Sequence, residues 1–455
     1  MNEKLHHGMR KMKKTFCKAS LFSRSLAALL AAVLFCSCFT IAAWADEEAT
    51  ELAAIYIESE SGVDSTDEYS EMLVSVRDSG GNILMDETLA RWELHGRSTR
   101  QTNKKAYNIK FYTDTDMFGM GAAKKWVLLA NAYDKTLIRN KLIYDLGAEL
   151  GAAYPMESRF VELYINGRYR GNYLLSEAPQ VNSERVDINM AKDEFLLEIL
   201  PIYRSPEGEM VTTPVFNLRF TLNSLTYLPP DQRSYLENFM QKAEDALMSC
   251  DKDRIAEYFD IDSFLNAYII YELSKNADIA MGSTRFTLRD GKLYAGPLWD
   301  FDLSLGNSAY DPGPRQNFNG TVPCLTDGWY GCQLWWAQLV RCDWFLELFA
   351  QRYIEIQDLI VNLYEDNELG MNRIDALVSS MQKSIDKNYS IWPVDARLYA
   401  NERISDPTYE LNVESLRTWI RERNAWILAQ IQNGGTFITV DDESYYIVSH
   451  PLVNQ

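Results

Sequence analysis

Histidine is nearly absent from this sequence. The 455 residues include four histidines, and two of them, His6 and His7, precede the part of the chain that we expect to fold. So few imidazole groups argue against a Ser-His-Asp triad and against histidine-based zinc sites. The sequence also lacks the motifs G-x-S-x-G, H-E-x-x-H and G-x-G-x-x-G and the Walker A pattern. Any chemistry must therefore depend on carboxylates, lysine and arginine.

Basic residues are outnumbered by acidic ones. Lys and Arg total 45 against 64 Asp and Glu, which gives a net charge of −19. Removing the N-terminal targeting segment takes away seven basic residues and one acidic residue, and leaves a net charge of −25. This balance argues against nucleic acid as a partner. It favours cations, basic partners or simple solubility.

Long hydrophobic runs are limited to the N-terminus. Residues 1–45 contain a basic region, then the apolar run SLAALLAAVLFCSCFTIAA, then Ala-Trp-Ala, an order typical of a signal peptide. We expect cleavage after Ala45 and a mature protein that is secreted or held at the cell surface, without a transmembrane span. Two alternatives stay open, namely a lipoprotein acylated at Cys38 and a retained N-terminal anchor.

Cysteine is scarce beyond the targeting segment. Four cysteines remain, which allow three pairings, and an exported setting favours a short-loop disulfide between Cys324 and Cys332. The absence of any C-x-x-C pair argues against a zinc site. The four residues are Cys250, Cys324, Cys332 and Cys342.

The order of the predicted elements indicates an α+β fold in two lobes. Residues 46–225 are rich in strand patterns, such as the alternation of apolar and polar residues in KAYNIKF, and include one helix predicted over 137–151. Residues 226–435 carry amphipathic helical patterns. Residues 436–455 are predicted to form a C-terminal hairpin. Strands followed by helices in separate runs are typical of α+β proteins.

The stretch from Lys275 to Gly306 carries the strongest chemical pattern. It contains two acidic clusters, separated by two short strands that the Asp290-Gly291 turn predicts to be a hairpin. An acid, a hairpin and a second acid is the order in which kinase-type enzymes place their catalytic and metal-binding aspartates. The alternative is that these acids simply cap turns. The candidate oxygen ligands are Asn276, Asp278, Asp300 and Asp302.

A basic loop stands out against the acidic composition. Arginine and lysine crowd the segment between the two strands predicted within residues 91–112. Such a cluster in an acidic protein suggests anion binding, and phosphate is the first candidate. The alternative is a solvated loop without a ligand. The cluster consists of Arg97, Arg100, Lys104 and Lys105, with Lys110 on the following strand.

Six stretches between residues 91 and 307 resemble, in the same order, motifs of the CotH kinase family, spore-coat kinase-like proteins that many bacteria also secrete: HGRSTRQTNKKAYNIKF, KWVLLANAYDKTLIRNKLIYDLG, VELYINGRYRGNYLLSE, FLLEI, SFLNAYIIYELSKNADI and GPLWDFDLSLGN. The resemblance implies a divergent protein-kinase-like fold, with a strand-rich nucleotide-binding lobe and a helical lobe that holds the catalytic and metal loops. It also implies transfer of the γ-phosphate of ATP to Ser or Thr of a protein, with a divalent metal.

By the same resemblance, the acidic residues take separate roles. Asp278 matches the catalytic residue, which would orient the acceptor hydroxyl and take its proton. Asp300 matches the metal-binding aspartate, and Asp302 and Asn276 are further candidates for the metal site. Mg²⁺ or Mn²⁺ suits these oxygen ligands.

The resemblance also implies ATP-binding residues in the front half of the chain. Lys105 and Lys110 fall where the family's phosphate-binding lysines lie, and Arg139 is a further phosphate-binding candidate. Glu177 ends a strand that resembles the one leading to an adenine-binding hinge. The family's first motif usually begins with Arg-Gly-Asn-Ser, whereas this sequence has HGRS. Arg97 is the candidate substitute for the missing arginine.

Two other classes of function are also weighed. ATP is scarce outside the membrane, which motivates the hypothesis of a surface-associated scaffold that keeps the fold and has lost phosphate transfer. A glycoside hydrolase with a carboxylate pair would use the many aromatic residues, but the ordered motifs disfavour it. For the kinase, the expected partner is an exported or surface-bound protein.

Overall fold

The structure, a computed structural model, describes residues 50–60, 69–201, 204–206, 208–222, 225–276, 278–279, 282–308, 324–326, 334–396, 406–434 and 438–439. The described residues from Glu51 onward belong to one compact unit. The targeting segment and most of the predicted C-terminal hairpin lie outside the described residues, so these remain predictions, and Cys332 also lies outside them. None of the helices in the described ranges is long and apolar enough to cross a membrane.

Seven strands close into a barrel in the order β1-β2-β3-β4-β5-β7-β6. Neighbouring strands are antiparallel, except that β1 pairs in parallel with β6 and so completes the ring. Closure gives every strand a partner on both sides. The strands are β1 (Ala54–Glu58), β2 (Ser70–Arg77), β3 (Ile83–Leu94), β4 (Tyr107–Asp116), β5 (Ala122–Leu129), β6 (Ser158–Ile165) and β7 (Arg168–Glu177).

The alternation predicted from the sequence determines which side chains fill the barrel. Tyr107, Ile109 and Phe111 of β4 are buried in the barrel core, whereas Asn108 and Lys110 are half-buried. A two-residue period places the two sets on opposite faces of the strand. The polar set therefore lies on the outer face of the barrel.

Helix α1 (Arg139–Glu149) follows the barrel strand β5. The carboxylate of Asp134, before the helix, accepts hydrogen bonds from the backbone N–H groups of Thr136 at 2.9 Å and Arg139 at 2.8 Å. The helix begins two residues later than predicted because Leu137 has a positive φ of 65°. Asp134 nevertheless satisfies a donor at the start of the helix.

A second sheet of five strands has the order β12-β11-β8-β10-β9. The hairpin predicted at Asp290-Gly291 is confirmed as the turn between β11 and β12. Strand β11 also pairs with β8, so this sheet joins strands from both sides of the lobe boundary predicted after residue 225. The strands are β8 (Phe195–Ile199), β9 (Met210–Thr212), β10 (Arg219–Leu222), β11 (Arg285–Arg289) and β12 (Lys292–Ala295).

Helices dominate the second half of the chain, as predicted. Helix α4 lies at their centre, with Trp335 and Trp336 fully buried against its Phe264. The helices are α2 (Pro230–Met248), α3 (Lys252–Tyr258), α4 (Ile261–Ser274), α5 (Trp335–Leu339), α6 (Asp343–Glu355), α7 (Gln357–Val361), α8 (Arg373–Ser379), α9 (Gln382–Ile391) and α10 (Tyr409–Asn433). Two short strands, β13 (Leu325–Thr326) and β14 (Ile438–Thr439), pair in parallel.

Covalent and ionic links fix the helices. A disulfide joins Cys250, after α2, to Cys342, before α6. Cys324 carries a buried thiol in the structure, which contradicts the Cys324–Cys332 disulfide that the sequence favoured. Arg423 of α10 donates to the Glu272 carboxylate at 2.6 Å in the interior, and both side chains are fully buried.

Candidate active site

Asn276 joins the two acidic clusters. Helix α4 ends at Ser274, and Lys275 adopts a left-handed conformation that turns the chain out of the helix. The buried side chain of Asn276 then accepts a hydrogen bond from the backbone N–H of Asp278 at 2.8 Å and donates one to the carbonyl oxygen of Asp300 at 2.9 Å. One amide therefore sets the conformation of the first loop and attaches it to the second.

The second acidic loop is held in an unusual backbone conformation. Asp300 has a φ of 70°, which non-glycine residues rarely adopt and which is often found at functional sites. Its carboxylate accepts a hydrogen bond from the Ser283 hydroxyl at 2.9 Å. The next backbone N–H, of Phe301, donates to the side chain of Asn140 on α1 at 2.7 Å. Hydrogen bonds with Ser283, just before β11, and with Asn140, on α1, therefore hold the loop at Asp300 in place.

The acids crowd one another electrostatically. Burial raises the pKa of Asp302 well above its usual range, and the nearby carboxylates of Asp300, Asp278 and Asp134 raise it further. Burial also raises the pKa of Asp300, against the lowering effects of Ser283 and Arg285. Like charges in a low-dielectric setting destabilise one another. A bound cation would relieve this repulsion.

The donor set fits a divalent cation of the Mg²⁺ type. Carboxylate and amide oxygens are its preferred ligands, and nucleotide enzymes hold it with one or two carboxylates plus phosphate oxygens and water. In the described part of the chain, no three His, Cys, Asp or Glu residues converge in a metal-binding geometry. Asp300, Asp302 and Asn276 stay the candidate protein ligands, and the Asn276 amide also joins the two loops.

Sequence reasoning missed the charged neighbours of Asp300 on the second sheet. Arg285 of β11 forms an ion pair with Glu198 of β8 at 3.0 Å, and its guanidinium lies 5.8 Å from the centre of the Trp299 ring. Glu198 raises the pKa of Asp300, whereas Arg285 and Arg204 lower it. Arg285 lies inside the stretch that the sequence marks as chemical, but the alternating pattern there indicates only a strand. Glu198 could not be associated with the site without the β8–β11 pairing.

The predicted phosphate-binding lysines lie on or beside the barrel. The Lys105 ammonium donates to the carbonyl oxygen of Arg100 at 2.5 Å, and the Lys110 ammonium lies 5.6 Å from the centre of the Tyr69 ring. Among the described residues, neither lysine contacts Asp278, Asp300 or Asp302. Arg97 is exposed at the start of a single 3-10 turn, Ser98–Gln101. Their assignment to ATP phosphates stays a prediction.

Arg139 is committed to structural contacts. Its buried guanidinium forms an ion pair with Asp134 and donates to the carbonyl oxygens of Ser304 at 3.2 Å and Leu305 at 3.4 Å. These carbonyl groups belong to the end of the second acidic loop. The contacts support a positioning role for Arg139, although its predicted role in phosphate binding is not tested by them.

Glu177 lies at the end of β7, where the hinge strand was predicted. Its carboxylate forms an ion pair with Arg185 at 2.6 Å and accepts a hydrogen bond from the backbone N–H of Glu157 at 2.9 Å. Burial raises the pKa of Glu177 to about 7, in spite of these partners. Its predicted role near adenine stays a prediction.

His95, which stands at the start of the HGRS sequence, links the barrel to the second acidic loop. Its Nδ1 lies 2.8 Å from Oδ1 of Asn108, whose Nδ2 donates to Glu93 at 2.9 Å. Because Asn108 presents its oxygen, Nδ1 of His95 is the protonated nitrogen. The imidazole ring also contacts the edge of Trp299, next to Asp300.

Together, these features define a class of site. Crowded aspartates on two loops beside a hairpin are the groups with which metal-dependent phosphotransferases hold a cation and orient a nucleophile. The family model described as CotH kinase protein matches residues 93–427. The chain therefore belongs to the CotH kinase family. No curated protein matches it.

Proposed function

We propose that this protein is an exported, two-lobed CotH-like kinase that transfers the γ-phosphate of ATP to Ser or Thr of secreted or surface-bound proteins. The barrel and its outward-facing lysines would form the nucleotide-binding lobe. The helices and the two acidic loops would form the catalytic lobe. The observation that carries this proposal is that Asn276 joins Asp278 and Asp300 directly, through hydrogen bonds of 2.8 and 2.9 Å.

Each acidic residue has a separate task in this proposal. Asp278 orients the acceptor hydroxyl and takes its proton as the hydroxyl oxygen bonds to the γ-phosphorus of ATP and the bond from that phosphorus to the ADP oxygen breaks. Asp300 and Asp302 would hold Mg²⁺ or Mn²⁺, which would supply positive charge against the phosphate oxygens. Ser283 and the amide of Asn276 keep the Asp300 loop in position. Arg285 limits the repulsion among the acids when no cation is bound.

The test is labelling of a generic protein substrate, such as casein, by the protein without residues 1–45, with γ-labelled ATP and Mg²⁺ or Mn²⁺. Labelling should be lost in Asp278→Asn and Asp300→Asn. The matched control is Asp290→Asn, because Asp290 is an exposed acid in the intervening hairpin and asparagine also tolerates its positive φ. If the unchanged protein binds no nucleotide, the kinase proposal fails and the scaffold hypothesis gains support.

A further inference from the structure

Three basic side chains form a row across the outer face of the barrel. Arg91 of β3 pairs in register with Lys110 of β4, and Lys110 pairs in register with Lys125 of β5. Neighbouring strands lie about 4.8 Å apart, and residues directly opposite each other share one face of the sheet. All three side chains are half-buried. We call Arg91, Lys110 and Lys125 the cation row.

The cation row has no direct partner of opposite charge. Among the residues that the structure describes, none of its three side chains forms an ion pair or donates a hydrogen bond. The Arg91 guanidinium lies 5.2 Å from the centre of the Tyr112 ring, and the Lys110 ammonium lies 5.6 Å from that of Tyr69. The Nε of Arg91 is buried without a hydrogen-bond acceptor. A buried donor in this state is costly, and an anionic ligand would remove that cost.

Lys110 and Lys125 are close enough to repel each other. Burial lowers the pKa of Lys125, and the Lys110 ammonium lowers it further, with a smaller opposite effect from Glu93. Like charges that are held side by side destabilise each other. An anion that accepts hydrogen bonds from both ammonium groups would relieve this repulsion.

The nearest carboxylates bond to neutral groups instead of the cation row. Glu93 accepts a hydrogen bond from Nδ2 of Asn108 at 2.9 Å and one from the Tyr69 hydroxyl. Glu71 accepts a hydrogen bond from the Tyr112 hydroxyl at 2.8 Å. These two acids therefore flank the row without neutralising it by direct contact.

The cation row adjoins the second acidic loop. Asn108 lies two residues before Lys110, on the same face of β4. Its Oδ1 lies 2.8 Å from Nδ1 of His95, whose ring contacts the ring of Trp299, the residue before Asp300. Candidate sites for an anion and for a cation thus lie on either side of His95. A polyphosphate chain that carries a divalent metal requires both.

We infer that the cation row binds a polyphosphate chain and that Lys125 is the partner of Lys110 in this task. In the proposed function, on which this inference rests, the chain is the triphosphate of ATP. Its oxygens would accept hydrogen bonds from Lys110, Lys125 and the Arg91 guanidinium. Of the two lysines predicted to bind phosphate, Lys110 is the one in the row, whereas the Lys105 ammonium donates to the carbonyl oxygen of Arg100 at 2.5 Å.

The test is a calorimetric titration of the purified protein with ATP, with adenosine and with inorganic tripolyphosphate, at constant ionic strength with Mg²⁺. Lys110→Met and Lys125→Met should each weaken the binding of ATP and of tripolyphosphate about tenfold or more, because each removes a charged donor. Adenosine binding should not change. Lys125→Arg keeps the charge and should recover most of the lost affinity. Lys124→Met is the matched control, because Lys124 is the preceding residue of β5 and is exposed outside the row.

The outcomes separate this inference from the proposed function. Equal affinity for ATP in Lys125→Met and the unchanged protein would overturn the inference and leave the kinase proposal standing. If the unchanged protein binds no ATP, the kinase proposal fails, and the inference then requires tripolyphosphate binding that depends on Lys125. Loss of tripolyphosphate binding in Lys105→Met but not in Lys125→Met would also overturn the inference.

Two further arms test the class of ligand and guard against a folding defect. A hexaglutamate peptide should bind more weakly than tripolyphosphate, since its charges are spread along a longer chain. Tighter binding of the peptide would assign the cation row to an acidic protein partner and overturn the inference. Should either lysine variant fail to fold, tripolyphosphate must still raise the melting temperature of the unchanged protein. Absence of that rise would overturn the inference.

Discussion

Two groups of buried charges in this molecule follow opposite rules. In the helical interior, Glu272 and Arg423 are fully buried and bonded to each other at 2.6 Å. In the second acidic loop, Asp302 is surrounded by carboxylates that raise its pKa. The first arrangement is complete without a ligand, whereas the second is destabilised until a cation arrives. The comparison teaches that the cluster of buried like charges lies at the candidate site, whereas the buried pair of opposite charges stabilises the helical interior.

The largest expected effect is on the activity of a variant at Asp278. Asp278→Asn should lower the rate of phosphate transfer by about 10²–10⁴-fold, the range for loss of a group that moves a proton. Its unfolding free energy should stay close to that of the unchanged protein, because asparagine keeps the shape of the side chain and relieves the repulsion between Asp278 and Asp302. Labelling rates and urea denaturation measure the two quantities. A variant with full activity would contradict the role of Asp278.

Breaking the matched pair should have the largest effect on stability. Arg423→Met leaves Glu272 buried without its partner and should lower the unfolding free energy by about 3–5 kcal/mol. Replacing both residues by methionine should recover most of that loss. Arg421→Met serves as the control, because the ion pair of Arg421 with Glu365, at 3.6 Å, is exposed to solvent. Urea denaturation measures the unfolding free energies. Equal losses in Arg423→Met and Arg421→Met would contradict the comparison.

The stability of the folded protein should depend on pH through Asp302. The folded-state pKa of Asp302 is raised, so the folded protein binds this proton more tightly than the unfolded chain does. Its stabilising effect is therefore present at low pH and lost as the pH rises above the ordinary aspartate pKa, near 4, toward the raised value. In EDTA, Asp302→Asn should gain stability relative to the unchanged protein at pH 7.5 but not near pH 4. Urea denaturation at both pH values checks this, and a constant difference would contradict it.

An exposed ion pair should show the smallest effect. Lys141 and Asp145 on α1 form an i,i+4 pair at 2.6 Å with both side chains partly exposed. Lys141→Met should change the unfolding free energy by no more than about 0.5 kcal/mol, because solvent screens such pairs. Urea denaturation of Lys141→Met and Arg423→Met in parallel would show whether burial determines how much an ion pair contributes to the unfolding free energy. A loss of several kcal/mol in Lys141→Met would contradict the claim that an exposed ion pair contributes little.

Local sequence patterns predicted the parts of the fold that depend on neighbours along the chain. The turn at Asp290-Gly291 specifies a hairpin by its own residues, and this hairpin is present. Closure of the barrel could not be predicted, because it depends on the parallel pairing of β1 with β6, more than 100 residues later. Long-range pairing leaves no local signal.

The same limit applies to the candidate site. Asn276, Asp278, Asp300 and Asp302 could be chosen from the sequence because they lie on two loops that one hairpin separates. The contact of Phe301 with Asn140, and the ion pair that brings Glu198 near Asp300, come from elements distant in the chain. Their roles emerge only once the second sheet and α1 are in place.

The central claim is that the unmatched acids hold a divalent cation together with a nucleotide. Titration of Mn²⁺ in the presence of ATP, followed by electron paramagnetic resonance, tests it directly, since Mn²⁺ loses its sharp six-line spectrum when it binds to a protein. We predict saturable, ATP-dependent binding in the unchanged protein and in Asp290→Asn, and loss of that binding in Asp300→Asn. Equal Mn²⁺ binding in Asp300→Asn and the unchanged protein would contradict the account.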